Sequence, residues 1–476
     1  MNALRRASRP TTRRASTGPS PSTPTTAGPS SSQADAADLP VYSGNERTEH
    51  VFTLGKDDSE DGAWAKLTLK SNARSAKSTP SYSEGDEIVG SFLLSSAKGD
   101  GIKTISVTLT GKIVTGAARE EVFTFLKHET IMWQKTTSPA LVPGNTLFTF
   151  TIDLPSTVQI KDAEYSLPES FLERHVRASV SYEIVLRVAR GWLRSDNEIK
   201  ERIRYSPVSY APPPSPLRVQ AYRERTRLLG PEIDPQGWVM TPTVDVSGML
   251  FRTRPVGVRL KMHIARPTSY ARGTPIPLLL TISSTDPQAL ALLSAPASPV
   301  VILRRAIRYK IASSSPTRTA DWETTDADLV RAALWPLAGA PVAGTRTVVL
   351  EGEIVLPKGL LASSTMDRFE VSVRNFSKSR RLVSVSNLPV QYAVVILAFD
   401  ATGFVPDASE SRSSPLLVQP VQITTKPPID SPHAMEYTPA SHVPLPLPTR
   451  HGVAKDDEDY YTESPAVDNI IRAGFT

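Results

Sequence analysis

The sequence has no cysteine and only seven histidines among its 476 residues. Without cysteine the chain can form no disulfide framework, thiolate zinc site, iron–sulfur cluster or cysteine nucleophile, and its composition suits a reducing, cytoplasmic location. No two histidines lie closer than nine positions apart, so a compact histidine metal motif is absent. No apolar run approaches the roughly 20 residues that a membrane-spanning helix requires.

Sequence motifs of enzymes are missing as well. The chain contains no GxSxG, GxxxxGK[ST], GxGxxG or DxDxDG segment, the patterns of hydrolases, P-loop enzymes, dinucleotide sites and calcium loops. Two acidic groups, Asp57–Asp61 and Asp456–Asp459, could hold a hard cation, but a solvated loop and a charged tail explain them more simply. We predict a protein that is not an enzyme, with no catalytic residue, metal site or cofactor.

Proline is abundant, with 42 residues, and favours turns and linkers over a helical bundle. The net charge of +6 is uneven. Residues 1–38 carry five arginines and two aspartates, whereas residues 426–476 carry four basic and eight acidic residues. The basic excess of the remaining chain is too dilute for a nucleic-acid-binding face, so we expect no nucleic-acid partner.

The two ends of the chain are poor in large apolar residues. Residues 1–38 have none between Leu4 and Leu39, which predicts a disordered basic leader rich in Ser, Thr and Pro. An organelle transit peptide is the alternative, but the prolines oppose the amphipathic helix that it needs. Residues 426–476 predict a disordered acidic tail.

Between these ends, short alternating or apolar runs bounded by turn residues predict an all-β fold. In Ile105–Ile113 apolar residues recur at every second position apart from Gly111, as in a strand with one buried face. The proline-rich residues 206–217 interrupt the strands, and we interpret them as a hinge between a first β-sandwich, 45–205, and a second, 218–425. Only Asp286–Leu293 and Ala327–Leu334 indicate short helices.

Several segments occur in an order that resembles the amino-terminal half of the arrestin fold: Gly85–Leu94, Ile102–Gly111, Phe148–Pro155, Leu167–Phe171 and Val180–Leu186. The later segments resemble the carboxy-terminal arrestin domain: Tyr270–Leu278, Glu353–Pro357, Val383–Leu397 and Leu417–Thr424. The pattern is most similar to the fungal α-arrestins, or arrestin-related trafficking adaptors. Glu169 stands where that family often has a second proline, and His175 where a glycine is common.

The resemblance implies two tandem arrestin-like, immunoglobulin-like β-sandwiches that act as a non-enzymatic adaptor. Such an adaptor links membrane-protein cargo to ubiquitination, endocytosis or sorting machinery, and is recruited peripherally to the plasma membrane or endosomes. Its implied partners are cytoplasmic tails of membrane proteins and a HECT-type ubiquitin ligase. The alternatives are a retromer-type or membrane-surface scaffold without ligase recruitment, and a hydrolase or metal enzyme on a β-sandwich.

One short peptide fits ligase recruitment. Leu39, Pro40, Val41 and Tyr42 form LPxY, a relative of the PPxY ligand of WW domains, in which proline presets an extended backbone and tyrosine fills a pocket. The alternative is that Tyr42 merely leads into the first strand.

The leader also contains two RRxS segments, which end at Ser8 and Ser16. A basophilic kinase recognises this spacing because two guanidinium groups pair with its acidic groups beside the hydroxyl. We therefore predict phosphorylation at Ser8 and Ser16, with a coincidental basic leader as the alternative.

Clusters of basic residues suggest a surface for phosphorylated cargo tails or anionic lipid head groups. Strand alternation in the second predicted sandwich places Arg304, Arg308 and Lys310 on one face. A second group follows in the chain: Arg374, Lys378, Arg380 and Arg381. An ordinary solvated face is the alternative.

Overall fold

The structure is a computed structural model that describes residues 47–55, 63–96, 101–115, 121–160, 163–174, 176–191, 195–311, 321–337, 346–363, 369–370, 392–407, 414–442 and 445–447. Within these ranges most residues lie in β-strands, and there are two short α-helices. The predicted all-β class is therefore confirmed. No helix in the described ranges has the length and apolar character needed to cross a membrane.

Residues 48–206 form two large sheets that share one core, and a separate two-stranded sheet. Their strands are β1 (Thr48–Gly55), β2 (Ala63–Ser71), β3 (Ser81–Ser83), β4 (Glu87–Ser96), β5 (Ile102–Thr115), β6 (Glu121–Gln134), β7 (Gly144–Asp153), β8 (Thr157–Ile160), β9 (Ala163–Ser166), β10 (Phe171–Leu172), β11 (Ala178–Arg190) and β12 (Asn197–Ser206). One sheet has the order β1-β2-β4-β7 and the other β3-β12-β11-β5-β6, with β10 added to β11 and β8 paired to β9. Buried side chains of both sheets form one hydrophobic cluster. We call residues 48–206 the first sheet pair.

The alternation predicted for β5 is present. Ile105, Val107, Leu109 and Ile113 are all buried in the cluster, and each contributes about 1.5–3 kcal/mol by leaving water. Gly111 interrupts the pattern because the Phe125 ring lies against it, and a Cβ at this position would come within 2.6 Å of that ring.

Residues 216–424 form two helices and two further sheets. Their elements are α1 (Pro216–Glu224), β13 (Trp238–Met240), β14 (Val244–Leu250), β15 (Arg254–Ala265), β16 (Ser269–Ala271), β17 (Pro275–Ser284), α2 (Pro287–Leu293), β18 (Val300–Ile311), β19 (Asp321–Arg331), β20 (Ala333–Pro336), β21 (Thr347–Val355), β22 (Phe369–Glu370), β23 (Tyr392–Leu397), β24 (Phe404–Pro406) and β25 (Leu417–Thr424). The orders are β20-β21-β17-β15-β14-β24, with β13 on β15, and β16-β25-β23-β18-β19, with β22 on β18. A second hydrophobic cluster lies among their buried residues. We call these sheets the second sheet pair.

One of the two predicted helices is present. Asp286 caps α2, because its carboxylate accepts hydrogen bonds from the N–H groups of Gln288 and Ala289. The helix predicted over Ala327–Leu334 is wrong, since this segment forms the end of β19 and the start of β20. Its residues favour a helix when considered locally, but β19 pairs with β18 from end to end, and tertiary pairing overrides local propensity.

The predicted hinge, 206–217, is hydrogen-bonded on both sides. The N–H of Val208 donates to Glu84 at 2.8 Å. Ser209 and Thr425 are joined by three hydrogen bonds of 2.8–3.1 Å. Helix α1 already begins at Pro216. The connection is therefore anchored both to Glu84 and to Thr425, the residue after the last strand, which its proline content did not predict.

The start of the predicted disordered tail also follows a defined path. Residues 426–442 lie against the second sheet pair, where Lys426 donates its N–H to the carbonyl of Ser209 at 2.9 Å and Tyr437 contacts Glu353. Composition did not predict this, because the segment is held by a few specific polar contacts with residues far away in sequence. The leader and residues 451–476 lie outside the described residues.

Candidate functional site

Strand β18 joins the two sheet pairs. Val301 and Leu303 belong to the second hydrophobic cluster, whereas Ile307 and Tyr309, farther along the same strand, belong to the first. Twelve extended residues span about 40 Å, so one continuous strand passes from one core to the other. The point where it crosses is marked by two consecutive arginines, Arg304 and Arg305.

Arg304 forms an ion pair inside the second sheet pair. Its Nε lies 2.5 Å and its Nη2 3.1 Å from the two carboxylate oxygens of Asp328 on β19. The two side chains are only 4% and 9% exposed. A pair of this kind gains from its bidentate geometry, yet both charges have lost their water. Arg304 is therefore fixed and neutralised where it stands.

Arg305 reaches in the opposite direction, to the first sheet pair. Its Nη2 donates to Glu173 at 2.5 Å, and the arginine side chain is 3% exposed. Close by, the Tyr309 hydroxyl accepts a hydrogen bond from the N–H of Arg177 at 3.3 Å. Both contacts tie β18 to the loop before β11.

A second polar contact joins the sheet pairs beside β16. Arg272 donates to Glu169 at 2.8 Å, to the Ser206 hydroxyl at 3.0 Å and to the carbonyl of Leu360 at 2.9 Å. Glu169 also accepts from the N–H of Ala362 at 2.9 Å. Glu169, Glu173, Arg272 and Arg305, which we call the junction residues, thus hold the two sheet pairs together by charged hydrogen bonds.

Sequence reasoning did not identify the junction residues as a set. It noted Glu169 only as a departure from a proline, and the structure shows this carboxylate bound to the second sheet pair. The available signal was the pair Arg304–Arg305 inside the apolar run Val300–Ile311, because charges within a buried strand require partners.

The predicted basic surface is corrected at Arg304. Backbone alternation does place Arg304, Arg308 and Lys310 on one face of β18, but the same face carries Val300, Ile302 and Ala306, which are buried with Leu447 packed against them. Arg304 is buried and paired, so it offers no charge to a ligand. Arg308 is half-buried. The other residues of the prediction lie outside the described side chains: Lys310, Arg374, Lys378, Arg380 and Arg381.

The two other predicted sites also fall outside the described residues. These are the segment Leu39, Pro40, Val41 and Tyr42, and the serines Ser8 and Ser16. They stay predictions from sequence.

The outer face of the β3-β12-β11-β5-β6 sheet is polar, with charges of both signs. At its centre Glu183, whose side chain is 8% exposed, lies 2.7 Å from the Lys112 ammonium and 3.3 Å from that of Lys200. Burial raises the pKa of Glu183, but the hydrogen bonds and charges of the two lysines outweigh it and leave the pKa below its ordinary value. Strand register places Lys127, Arg187 and Arg202 on the same face, interspersed with Glu129 and Glu198.

The described part of the chain contains no group of three or more His, Asp or Glu side chains that could hold a metal ion. The most elaborate polar arrangement is instead the junction between the sheet pairs. Comparison of the chain with protein-family models and with curated proteins finds no match.

Proposed function

We propose that the protein is a non-enzymatic, arrestin-like adaptor that works in the cytoplasm and is recruited peripherally to the plasma membrane or endosomes. It links the cytoplasmic tails of membrane proteins to ubiquitination, endocytosis or sorting machinery. The observation that carries the proposal is the pairing of two sheet pairs, each with its own core, across a polar junction crossed by β18. Such a body presents broad sheet faces to partners.

The adaptor needs two contacts, one for cargo and one for the machinery. For cargo, the outer face around Glu183 supplies lysines and arginines interspersed with carboxylates, which favours a polar peptide of mixed charge. Arg308, Lys310, Arg374, Lys378, Arg380 and Arg381 would add cation density for an acidic tail or an anionic lipid head group.

For the machinery, Leu39–Tyr42 would engage a WW domain of a HECT-type ligase. The peptide precedes β1 by a few residues, so a ligase bound there would stand close to the first sheet pair and to any cargo on it. A short tether of this kind raises the effective concentration of ligase at the cargo without chemistry by the adaptor.

The test is a titration of immobilised WW domains from a HECT-type ligase with the full-length protein. Tyr42→Ala and Pro40→Ala should each weaken binding at least tenfold. The first removes the ring that fills the pocket of the WW domain, and the second removes the proline that keeps the backbone extended. Ser43→Ala, which changes the adjacent residue, is the matched control and should bind as the wild type does.

A parallel arm separates the adaptor from the scaffold alternative. The protein is sedimented with vesicles of neutral lipid, with and without an added anionic lipid. Binding to WW domains that depends on Tyr42 supports the adaptor. Binding to anionic vesicles without any capture by WW domains would refute ligase recruitment and favour the membrane-surface scaffold.

A further inference from the structure

Residues 427–442, which we call the strap, are held against the second sheet pair. The strap follows a bridge between Lys426 and Tyr210. Farther along, the Tyr437 ring stacks on Tyr222 of α1 with 6.4 Å between centroids, and its hydroxyl donates to the carbonyl of Thr226 at 2.9 Å. The strap therefore has an aromatic anchor as well as a backbone one.

Beside this anchor the strap covers a buried carboxylate. Glu353 lies in β21 between β17 and β20, and it is 1% exposed. Its oxygens accept from the N–H of Tyr437 at 3.0 and 3.1 Å, from the N–H of Thr438 at 2.6 Å and from the Thr438 hydroxyl. Among the residues that the structure describes, these are all the hydrogen bonds that the Glu353 carboxylate receives.

No salt bridge joins Glu353 to a cation in the part of the chain that the structure describes, and the nearby carboxylate of Glu436 adds negative charge. Burial raises the pKa of Glu353, and the hydrogen bonds from Thr438 and Tyr437 only partly oppose that shift. Every hydrogen bond that the Glu353 carboxylate accepts from the described residues comes from a neutral donor. A further negative charge on Thr438 would be repelled by the buried Glu353 carboxylate at hydrogen-bond distance, where water screens the repulsion poorly.

Thr438 is followed by Pro439. A hydroxyl residue before proline is the sequence that proline-directed kinases accept, since the proline keeps the preceding backbone extended and donates no N–H. Thr438 is half-buried in the docked strap, so a kinase reaches it only when the strap is detached.

We propose that Thr438 is a phosphorylation site of a proline-directed kinase, and that its phosphate keeps the strap away from Glu353. In the reaction the γ-phosphoryl group of ATP passes to Thr438 Oγ1, the hydroxyl proton goes to the kinase base and ADP leaves. The product carries about −1.5 to −2 charges at neutral pH. It replaces a hydroxyl that donates to Glu353 with an anion that repels it.

The strap supplies its own control. Ser431 also precedes a proline, Pro432, but in the described residues its hydroxyl has no carboxylate partner. A phosphate at Ser431 therefore adds the same charge to the same segment without meeting Glu353, and it should leave the docking of Tyr437 and Thr438 unchanged.

The experiment treats the full-length protein with a purified proline-directed kinase and ATP, locates phosphate by mass spectrometry and measures hydrogen exchange at the amides of Tyr437 and Thr438. We expect phosphate on Thr438 and an exchange at these two amides at least tenfold faster than in untreated protein. Ser431→Ala should show the same acceleration, whereas Thr438→Ala, treated identically, should show none on addition of ATP.

The variant Glu353→Gln tests whether repulsion by the Glu353 carboxylate causes the faster exchange. The amide keeps one acceptor oxygen but carries no charge, so phosphorylation should accelerate exchange at most threefold in this variant, whose folding is checked by circular dichroism. The proposal is overturned if Thr438 stays unmodified while a synthetic peptide of residues 430–445 is phosphorylated. It is also overturned if phosphorylated Thr438 leaves exchange unchanged, or if Glu353→Gln shows the full acceleration.

Discussion

Glu183 in the first sheet pair and Glu353 in the second are both buried carboxylates on central strands, but their charges are compensated differently. Glu183 is held by two lysines that belong to neighbouring strands of its own sheet. Glu353 is held by N–H and hydroxyl groups of the strap, about 85 residues later in the chain. The pKa of Glu183 is accordingly lowered and that of Glu353 raised.

The buried charge of Glu183 is therefore compensated permanently, whereas that of Glu353 is compensated only while the strap is docked. The partners of Glu183 belong to β5 and β12, so they stay next to its strand as long as the sheet is folded. The partners of Glu353 lie on a segment outside the sheets, which can detach while every strand stays paired. Burial of a charge is thus a fixed property in the first sheet pair and one that can respond to modification in the second.

The largest effect should come from a permanent pair with two buried charges. Arg304→Ala removes the bidentate ion pair of the buried Asp328, and we expect the free energy of unfolding to fall by about 3–5 kcal/mol. Urea denaturation measures it. The double variant Arg304→Met with Asp328→Leu should recover most of the loss, because no charge is then buried alone. A loss in Arg304→Ala below that of an exposed arginine would contradict the arrangement.

A smaller effect is expected at Glu183, where one of two partners is removed. Lys112→Met keeps the length of the side chain but leaves Glu183 with Lys200 alone, and should cost about 1–3 kcal/mol of unfolding free energy. Lys200→Met is the matched control, since this lysine is 55% exposed against 27% for Lys112. It should cost less in the same denaturation measurement. Equal losses would mean that burial does not set the strength of these contacts.

Local sequence pattern was enough to predict much of this fold, although not its junction. Period-two alternation predicted β5, and the segment Asp286–Leu293 was correctly predicted as a short helix. The same reasoning assigned a helix to Ala327–Leu334, where only the partner strand β18 decides the structure. Sequence carries the periodicity of one strand but not the identity of its neighbour.

The site residues show the same limit. Arg305 and Glu173 lie 132 positions apart, and Thr438 and Glu353 lie 85 apart, so no local motif connects them. Alternation predicts a solvent-facing basic surface at Arg304, because it defines a face of the strand without saying what covers that face. Two arginines within an apolar strand are better interpreted as an indication that carboxylates are buried beside them.

The two carboxylates should also give stability opposite dependences on pH. Glu183 has a lowered pKa, so its contribution is present above the ordinary value of 4.5 and is lost as pH falls through the lowered pKa. Glu353 has a raised pKa, so the folded protein favours its protonated form, and this contribution is lost as pH rises from 4.5 through the raised pKa. The measurement is the unfolding free energy of the wild type, Glu183→Gln and Glu353→Gln across pH 3 to 8, an interval of about five units.

In the pH range below about 4.5, the unfolding free energy of the wild type should increase with pH relative to that of Glu183→Gln. Relative to Glu353→Gln, the wild type should lose stability as pH rises above that value. Parallel curves for the two comparisons would contradict the difference between the two sites.

The smallest effect should be at an exposed pair. Arg187 lies 2.5 Å from Asp196, but the arginine side chain is 53% exposed, and water screens and replaces such a contact. Arg187→Ala should therefore leave the unfolding midpoint in urea almost unchanged, and addition of salt should remove any remaining difference. Arg304→Ala, measured under the same conditions, should keep its full loss at high salt because its pair is shielded from ions. A salt-insensitive loss at Arg187 would show that geometry, and not burial, distinguishes the strong charge pairs of this protein from the weak ones.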